Sequence, residues 1–357
     1  MSVLNDPSQT TINLGFAQNP ITSPGYNGTP MILSGVDGAF VCSSPDNIGP
    51  WMSLSLNYLA ERTLRHMCLP LSHDSGMSEL TTKTTWATNN NTVTQYRNIG
   101  DQLGFGVRAF DIRPAILGGQ YYTGHYDNTG EVLGWQGGSG QPVLEIVSQI
   151  NNFTSSHPEL VILNISHDLN VDKGYVGFTQ DDWNGLFSLL DGLKYEYKAE
   201  SGSADLTILP LKTFIGGNQA AVIIRFDFDG TGSSPNLGDR AGNGFFYSGS
   251  FPGYYDSYAD TDDPDQLVKD QFAKMNQQRS SPDSPVFSLD WTLTMLGADN
   301  VSDSLLEWAD VIMTPRLGPG ILPAVSKTTY PNIIGVDGVK TTDAVAVVTA
   351  INCISIP

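Results

Sequence analysis

Seven short apolar runs, set apart by longer and often amphipathic segments, dominate the chain from residue 50 onward. They are HMCLPLSH (66–73), GVRAFDIRP (106–114), LVILNISHD (160–168), AAVIIRFDF (220–228), VFSLDW (286–291), DVIMTP (310–315) and NIIGVDGV (332–339). Runs this short and this apolar suit strands buried on both faces. Between them the pattern predicts helices near 52–62, 141–156, 180–191, 263–278 and 341–351. In PVLEIVSQINNF the apolar Val143, Leu144, Val147, Ile150 and Phe153 recur at helical spacing. Strand–helix alternation of this kind builds a parallel sheet covered by helices. Seven or eight units in about 300 residues suit a closed (β/α)8 barrel better than an open sheet. The open, doubly wound fold is the runner-up. It calls for a glycine-rich phosphate loop after its first strand, and LSHDSGM is not one.

Residues 1–50 differ in texture. They are rich in Gly, Pro, Asn, Ser and Thr and read as an irregular or β-rich extension packed on the main body. The expected organisation is therefore an extension over 1–50 and one barrel over 51–357. Three cysteines exclude a disulfide scaffold. No run approaches the roughly 18–20 apolar residues of a membrane-spanning helix. The first residues, MSVLNDPSQTTINLGF, carry no recognisable signal peptide. A cytoplasmic protein, or a secreted one in mature form, is expected.

Charge narrows the partners. The 357 residues hold 18 Lys plus Arg against 37 Asp plus Glu, a formal net charge of -19. That argues against a grip on nucleic-acid phosphates and against tight docking on anionic membranes.

Three of the five histidines sit at or just after the ends of apolar runs: His73, His125 and His167. In a parallel barrel those ends converge on one rim, where active sites lie. His73 precedes Asp74, His167 precedes Asp168, and GVRAFDIRP ends on Asp111 and Arg113, which share one face of a strand. A single histidine at a strand end is usually structural; several at separate strand ends of one barrel point to a polar site. No Gly-x-Ser-x-Gly, Cys-x-x-Cys or His-Glu-x-x-His occurs. Two histidines, carboxylates and an Arg suit phosphodiester cleavage. One imidazole takes a proton from the nucleophile and the other gives one to the leaving oxygen, while the Arg balances transition-state charge.

At LSHDSGM, GVRAFDIRP, YTGH and HPELVILNISHD the chain resembles the X region of phosphatidylinositol-specific phospholipases C, a distorted (β/α) barrel. YYDSY (254–258) and NIIGVDGV followed by DAVAVVTAIN extend the resemblance over about residues 50–357. It implies that His73 is the general base, His125 the general acid and Arg113 the phosphate-binding residue. It also implies that Asp74 and Asp111 orient Arg113 and His125, and that Asp337 fixes the tautomer of His73. Arg225 and Asp256 would meet inositol hydroxyls, with Tyr258 stacked on the ring. The implied reaction gives a cyclic inositol phosphodiester and diacylglycerol. Arg113 resembles the Arg of the bacterial form, which replaces the Ca²⁺ of eukaryotic members, so no metal and no cofactor are expected. One position departs from the bacterial pattern: His167 stands where those members carry an inositol-binding Lys, which bears on the headgroup rather than on the chemistry.

The implied partners are an inositol phospholipid or a related phosphodiester, and a transient membrane surface. A monomer is expected. A metal-dependent glycerophosphodiesterase or sphingomyelinase-D-like enzyme would carry Glu-x-Asp where this chain has Asp111-Ile112-Arg113. A non-catalytic inositol-phosphate-binding barrel would be favoured by loss of a catalytic histidine, and both are present.

Overall fold

The computed structural model describes residues 32–36, 39–43, 49–130, 132–227, 234–296 and 303–354. Most of the 1–50 extension lies outside them. Within it, Ile32–Val36 and Ala39–Ser43 pair as an antiparallel hairpin.

The core sheet has seven strands: β1 (Leu69–Ser72), β2 (Ala109–Ile112), β3 (Leu160–Ile165), β4 (Ala221–Phe226), β5 (Phe245–Tyr247), β6 (Ser288–Asp290) and β7 (Ile333–Val336). Their spatial order is β5-β4-β3-β2-β1-β7-β6, and every pairing is parallel. All six residues of β3 and all six of β4 are buried, as expected of strands covered on both faces. The register aligns Asp111 of β2, Asn164 of β3 and Arg225 of β4 in one row near the carboxyl ends. The barrel is thus an open, distorted one: among the described residues β5 and β6 form no ladder with each other.

Helices cover the sheet. These are α1 (Val143–Thr154), α2 (Gln180–Leu190), α3 (Pro264–Gln278), α4 (Thr314–Ala324) and α5 (Asp343–Ile354). In α1 the buried residues Val143, Ile146, Val147, Ile150 and Phe153 make one stripe. The Asp263 carboxylate caps α3 by accepting from the Asp265 and Gln266 amides, with Pro264 in the first turn. The expected helix at 52–62 is broken into two turns, Trp51–Leu54 and Leu56–Leu59.

One expected strand is a helix. DVIMTP continues Trp308–Met313, a π-helical stretch that runs directly into α4. Its Pro315 stands directly after that π-helical stretch, in the first turn of α4.

A second, mostly antiparallel sheet leaves the barrel directly after Arg113. Its order is Leu169–Asn170, Pro114–Leu117, Gln120–Asn128, Trp135–Pro142, Thr82–Lys83. Gly118 and Gly119 make the first turn, at φ 57° and 72°, a left-handed geometry that favours glycine. Asp172 pins that turn by accepting from both glycine amides at 2.8 Å.

The amino-terminal end of the barrel is sealed by an ion pair. Arg108 and Glu159 have fully buried side chains 2.9 Å apart. Glu159 also accepts from the backbone amides of Met52 and Ser53, at 3.0 and 2.7 Å. Arg108 donates to the carbonyls of Leu103 and Val107. A buried pair with most of its remaining valences filled is tolerated, here with only Arg108 Nη2 lacking a hydrogen bond.

Candidate active site

The carboxyl ends of β1, β2, β3, β4, β6 and β7 carry His73, Asp111, Asn164, Arg225, Asp290 and Asp337 at or just beyond their last residues. The second sheet adds His125, and the 254–258 segment adds Asp256 and Tyr258. His73, Asp74, Asp111, Arg113, His125, Asp337 and Tyr258 meet in one cluster.

Arg113 is its centre. Nε donates to Asp111 Oδ2 at 2.9 Å, and Nη1 faces Asp74 Oδ2 at 3.5 Å. Nη2 reaches His73 Nε2 at 2.8 Å and the Tyr258 hydroxyl at 3.2 Å. A guanidinium only donates, so His73 Nε2 must be the accepting nitrogen. The ring proton therefore sits on Nδ1 and points at Asp337 Oδ1, 2.7 Å away. This tautomer leaves the Nε2 lone pair facing the cluster. Burial lowers the basicity of His73 and so does the Arg113 charge, but the Asp337 charge and hydrogen bond, joined by the Asp74 charge, raise it, and the net pKa is raised. Tyr258 packs edge-on against the His73 ring at 5.4 Å.

Burial would raise the Asp111 carboxyl, yet the charges of Arg113, His73 and His167 and the Asp74 amide together hold it at about 2. Asp111 also accepts from Ser166 Oγ at 3.1 Å and from the Asp74 amide at 3.1 Å. Asp74 turns there through a left-handed φ of 45°, a conformation that costs energy and that Asp tolerates better than most residues. Its side chain then faces His125, whose Nδ1 lies 3.3 Å from Asp74 Oδ2 and 2.9 Å from the Thr92 carbonyl. Each imidazole thus has its own carboxylate. His73 lies on one Nη arm of Arg113, and His125 is joined to the other through Asp74. Gly137, which pairs with Tyr126 next to His125, has no room for a side chain: a Cβ would sit 2.0 Å from the His125 carbonyl.

Three further expected residues line the mouth. His167 is exposed, at φ 51°, with Nδ1 2.8 Å from Ser166 Oγ. Arg225 is buried, bonded to Asp227 at 2.9 Å and under the Tyr254 ring at 4.3 Å, with its Nε unpartnered. Asp256 is exposed at the mouth and accepts from the Tyr254 hydroxyl at 3.2 Å. A cavity of about 330 Å³ adjoins the cluster, sharing Arg113 with it and lined also by His167, Tyr126, Trp135 and Tyr175.

Sequence reading missed Gln95, Asn164, Tyr254 and Asp290. Gln95 Nε2 donates to the His73 carbonyl at 2.6 Å and so fixes the turn after β1. Asn164 and Asp290 carried a legible signal, a polar residue at the end of an apolar run, the same signal that marked His73.

No protein-family model matches the chain, and no curated protein matches it by sequence. Solved structures do. A structure of the phosphatidylinositol-specific phospholipase C from Staphylococcus aureus aligns at a TM-score of 0.60 and 18% identity, over 87% of this chain and 98% of that one. A variant of the same enzyme gives 0.58 and 17%, with the same coverage. The phosphatidylinositol-specific phospholipase C from Listeria monocytogenes gives 0.57 and 14%, over 85% and 98%. The chain therefore shares with these bacterial structures one α/β fold, a distorted TIM-like barrel with a parallel central sheet.

Proposed function

We propose that the protein is a phosphodiesterase of the phosphatidylinositol-specific phospholipase C type. One observation carries the reading: two imidazoles, each with its own carboxylate, flank a single guanidinium that they do not neutralise. His73 Nε2 takes the proton of the inositol 2-hydroxyl, and that oxygen attacks phosphorus. Arg113 holds a non-bridging phosphate oxygen with N–H groups already aimed by Asp111 and Asp74. The bond from phosphorus to the diacylglycerol oxygen breaks, and His125 supplies that oxygen with a proton. The products are a cyclic inositol phosphate and diacylglycerol. Arg113 provides the cation at the phosphate, so the reaction needs no divalent metal. Tyr258, Arg225, Asp256 and His167 surround the headgroup.

The lipid-facing surface in this reading is the tip of the second sheet. Trp86, Val132 and Leu133 are 60%, 93% and 49% exposed. Gln136 ties them together, accepting from the Trp86 amide and donating to the Leu133 carbonyl. Exposed aromatic and aliphatic residues of this kind suit a membrane interface.

Cleavage of phosphatidylinositol in mixed micelles containing EDTA tests the proposal. Wild type is expected to remain active, and His73→Ala and His125→Ala each to lose about 10²-fold or more. Activity that needs added Ca²⁺, or two variants as fast as wild type, overturns it.

A further inference from the structure

The cavity beside the cluster has no task in that mechanism. Its volume of about 330 Å³ is at the small end of ligand pockets. Arg113 lines it, but His73, Arg225, Asp256 and Tyr258 do not. It therefore begins at the phosphate cation and leads away from the base and from most of the headgroup residues. Gly124 and Tyr126 line it, one on either side of His125. Alternation along the strand puts those two on the cavity face, while His125 between them turns toward Asp74 and Thr92. The general acid thus stands at the edge of the cavity.

The walls are mostly apolar. Tyr126, Trp135 and Tyr175 contribute rings, and Leu169 and Val176 contribute aliphatic side chains. The Tyr175 ring stacks on Trp135 at 5.7 Å with 8° between the planes, and Tyr126 meets it edge-on at 5.9 Å. Polar groups in the wall are engaged by the protein itself. The Tyr126 hydroxyl bonds Ser139 Oγ at 2.9 Å, and the Asp168 carboxylate accepts from the Phe178 amide. A polyol ring needs partners for its hydroxyls, which such a wall does not supply. An acylglycerol presents mostly apolar surface, which it does accommodate.

Tyr175 is held in this wall against its backbone preference. Its φ is 63°, directly after Gly174 at 85°, and a bulky residue in the left-handed region costs energy. The 170–176 loop enforces that geometry. The Asn170 amide donates to the Val176 carbonyl at 2.6 Å, and the Tyr175 amide to the Asn170 carbonyl at 3.0 Å. Asn170 in turn pairs with Ile116 of the second sheet. The outer wall leads toward lipid. Trp135 opens the strand that follows the exposed Val132 and Leu133, and Gln136 beside it accepts from the Trp86 amide. Cluster, cavity and lipid-facing tip follow one another along the second sheet.

We propose that this cavity is the leaving-group site, where the glycerol-ester end of diacylglycerol lies against Tyr126, Trp135 and Tyr175, and that Tyr175 sets the preference for an acylated over a small leaving alcohol. The inference rests on the phosphodiesterase reading. In an in-line displacement the attacking and leaving oxygens lie on opposite sides of phosphorus. With the inositol 2-hydroxyl at His73, the departing oxygen lies toward His125, at the edge of the cavity. The apolar wall holds the alcohol while its oxygen is protonated, and the acyl chains continue past Trp135 to the sheet tip.

The test compares kcat/KM for two monomeric substrates that share a headgroup, dibutyryl phosphatidylinositol and the methyl ester of myo-inositol phosphate. Neither needs a membrane surface. Wild type, Tyr175→Gly and Trp135→Ala are measured, with NMR titration of dibutyrylglycerol alongside. Glycine favours a left-handed φ, so Tyr175→Gly removes the ring without opposing the backbone. The ratio of dibutyryl to methyl kcat/KM should fall about tenfold in each variant, on the order of two buried methylenes lost. The Kd for dibutyrylglycerol should rise about tenfold as well. A wild-type ratio in Tyr175→Gly, or dibutyrylglycerol binding that is absent or unchanged by it, overturns the proposal. If Trp135→Ala does not fold, the glycine variant decides alone. Absent cleavage of both substrates, with dibutyrylglycerol binding that Tyr175→Gly weakens, would sink the phosphodiesterase reading and leave an acylglycerol site standing. Cleavage of both with an unchanged ratio would do the reverse.

Discussion

Asp337→Asn isolates the charge that sets the base. The substitution keeps the size of the side chain and an oxygen able to accept the Nδ1 proton of His73, so the tautomer survives. It removes the negative charge 2.7 Å away, on a side chain only 5% exposed. In the wild type burial and Arg113 lower the His73 pKa, while Asp337 and, less strongly, Asp74 raise it, with a net rise. Without that charge the pKa falls. A base works deprotonated, so the acid limb of kcat/KM must move to lower pH. The plateau rate must also fall, because the imidazolium formed as His73 takes the proton loses its counter-charge. A hydrogen bond to a charged group contributes about 1.5–3 kcal/mol, which corresponds to about 10- to 150-fold in kcat. Stability carries the same signature with the opposite pH sense. A raised histidine pKa stabilises the fold fully below the unfolded value of about 6.5 and loses that contribution as pH climbs through the folded value. From about pH 6.5 upward, the gap in melting temperature between wild type and Asp337→Asn should therefore narrow. Initial rates on phosphatidylinositol across pH, with parallel thermal melts, measure both. An acid limb that stays in place, or a plateau rate equal to wild type, refutes the assignment of His73 as a base tuned by Asp337.

Two other perturbations separate the ends of the barrel. Glu159→Gln leaves the Arg108 guanidinium buried without its counter-charge and should cost about 3–5 kcal/mol in denaturant unfolding, with kcat per folded molecule unchanged; a cost below about 1 kcal/mol contradicts the seal described for that end. Trp86→Ala combined with Leu133→Ser should weaken partitioning onto zwitterionic vesicles about tenfold or more and leave cleavage of a short-chain soluble substrate intact, and equal partitioning would remove the sheet tip from the membrane-facing surface.

How much of this was legible in the sequence depended on whether a residue's role is local. Strand ends were readable because runs such as LVILNI and AVIIRF are apolar on both faces and stop at polar residues. Helices α1, α2, α3 and α5 were readable from their spacing. DVIMTP misled for a physical reason. Val311, Ile312 and Met313 favour either state in a short run, and Pro315 looks like a terminator until its place in the first turn of α4 is known. The second sheet was missed as a sheet because its strands Gln120–Asn128 and Trp135–Pro142 carry several glycines and polar residues, which weaken the strand signal.

The segment GVRAFDIRP shows how direction along a strand decides meaning. It carries Arg108 and Arg113 on either side of β2, and each faces a carboxylate. By composition the two arginines are equivalent. The parallel sheet makes them opposites, since every strand enters at one end and leaves at the other. Arg108 precedes β2, meets Glu159 just before β3, and is wholly buried, with Nε on Glu159 and Nη1 on the carbonyls of Leu103 and Val107. Arg113 follows β2, at the end where the strand termini from β1, β3, β4, β6 and β7 also arrive, and its side chain stays 14% exposed. A cation wholly buried beside its counter-charge, out of reach of any solute, can only hold the fold together. One aimed by Asp111 and Asp74, yet open to the mouth and flanked by two imidazoles, retains N–H groups for an incoming anion. The same residue type therefore serves stability at the amino end and chemistry at the carboxyl end, and strand polarity is what assigns the two roles.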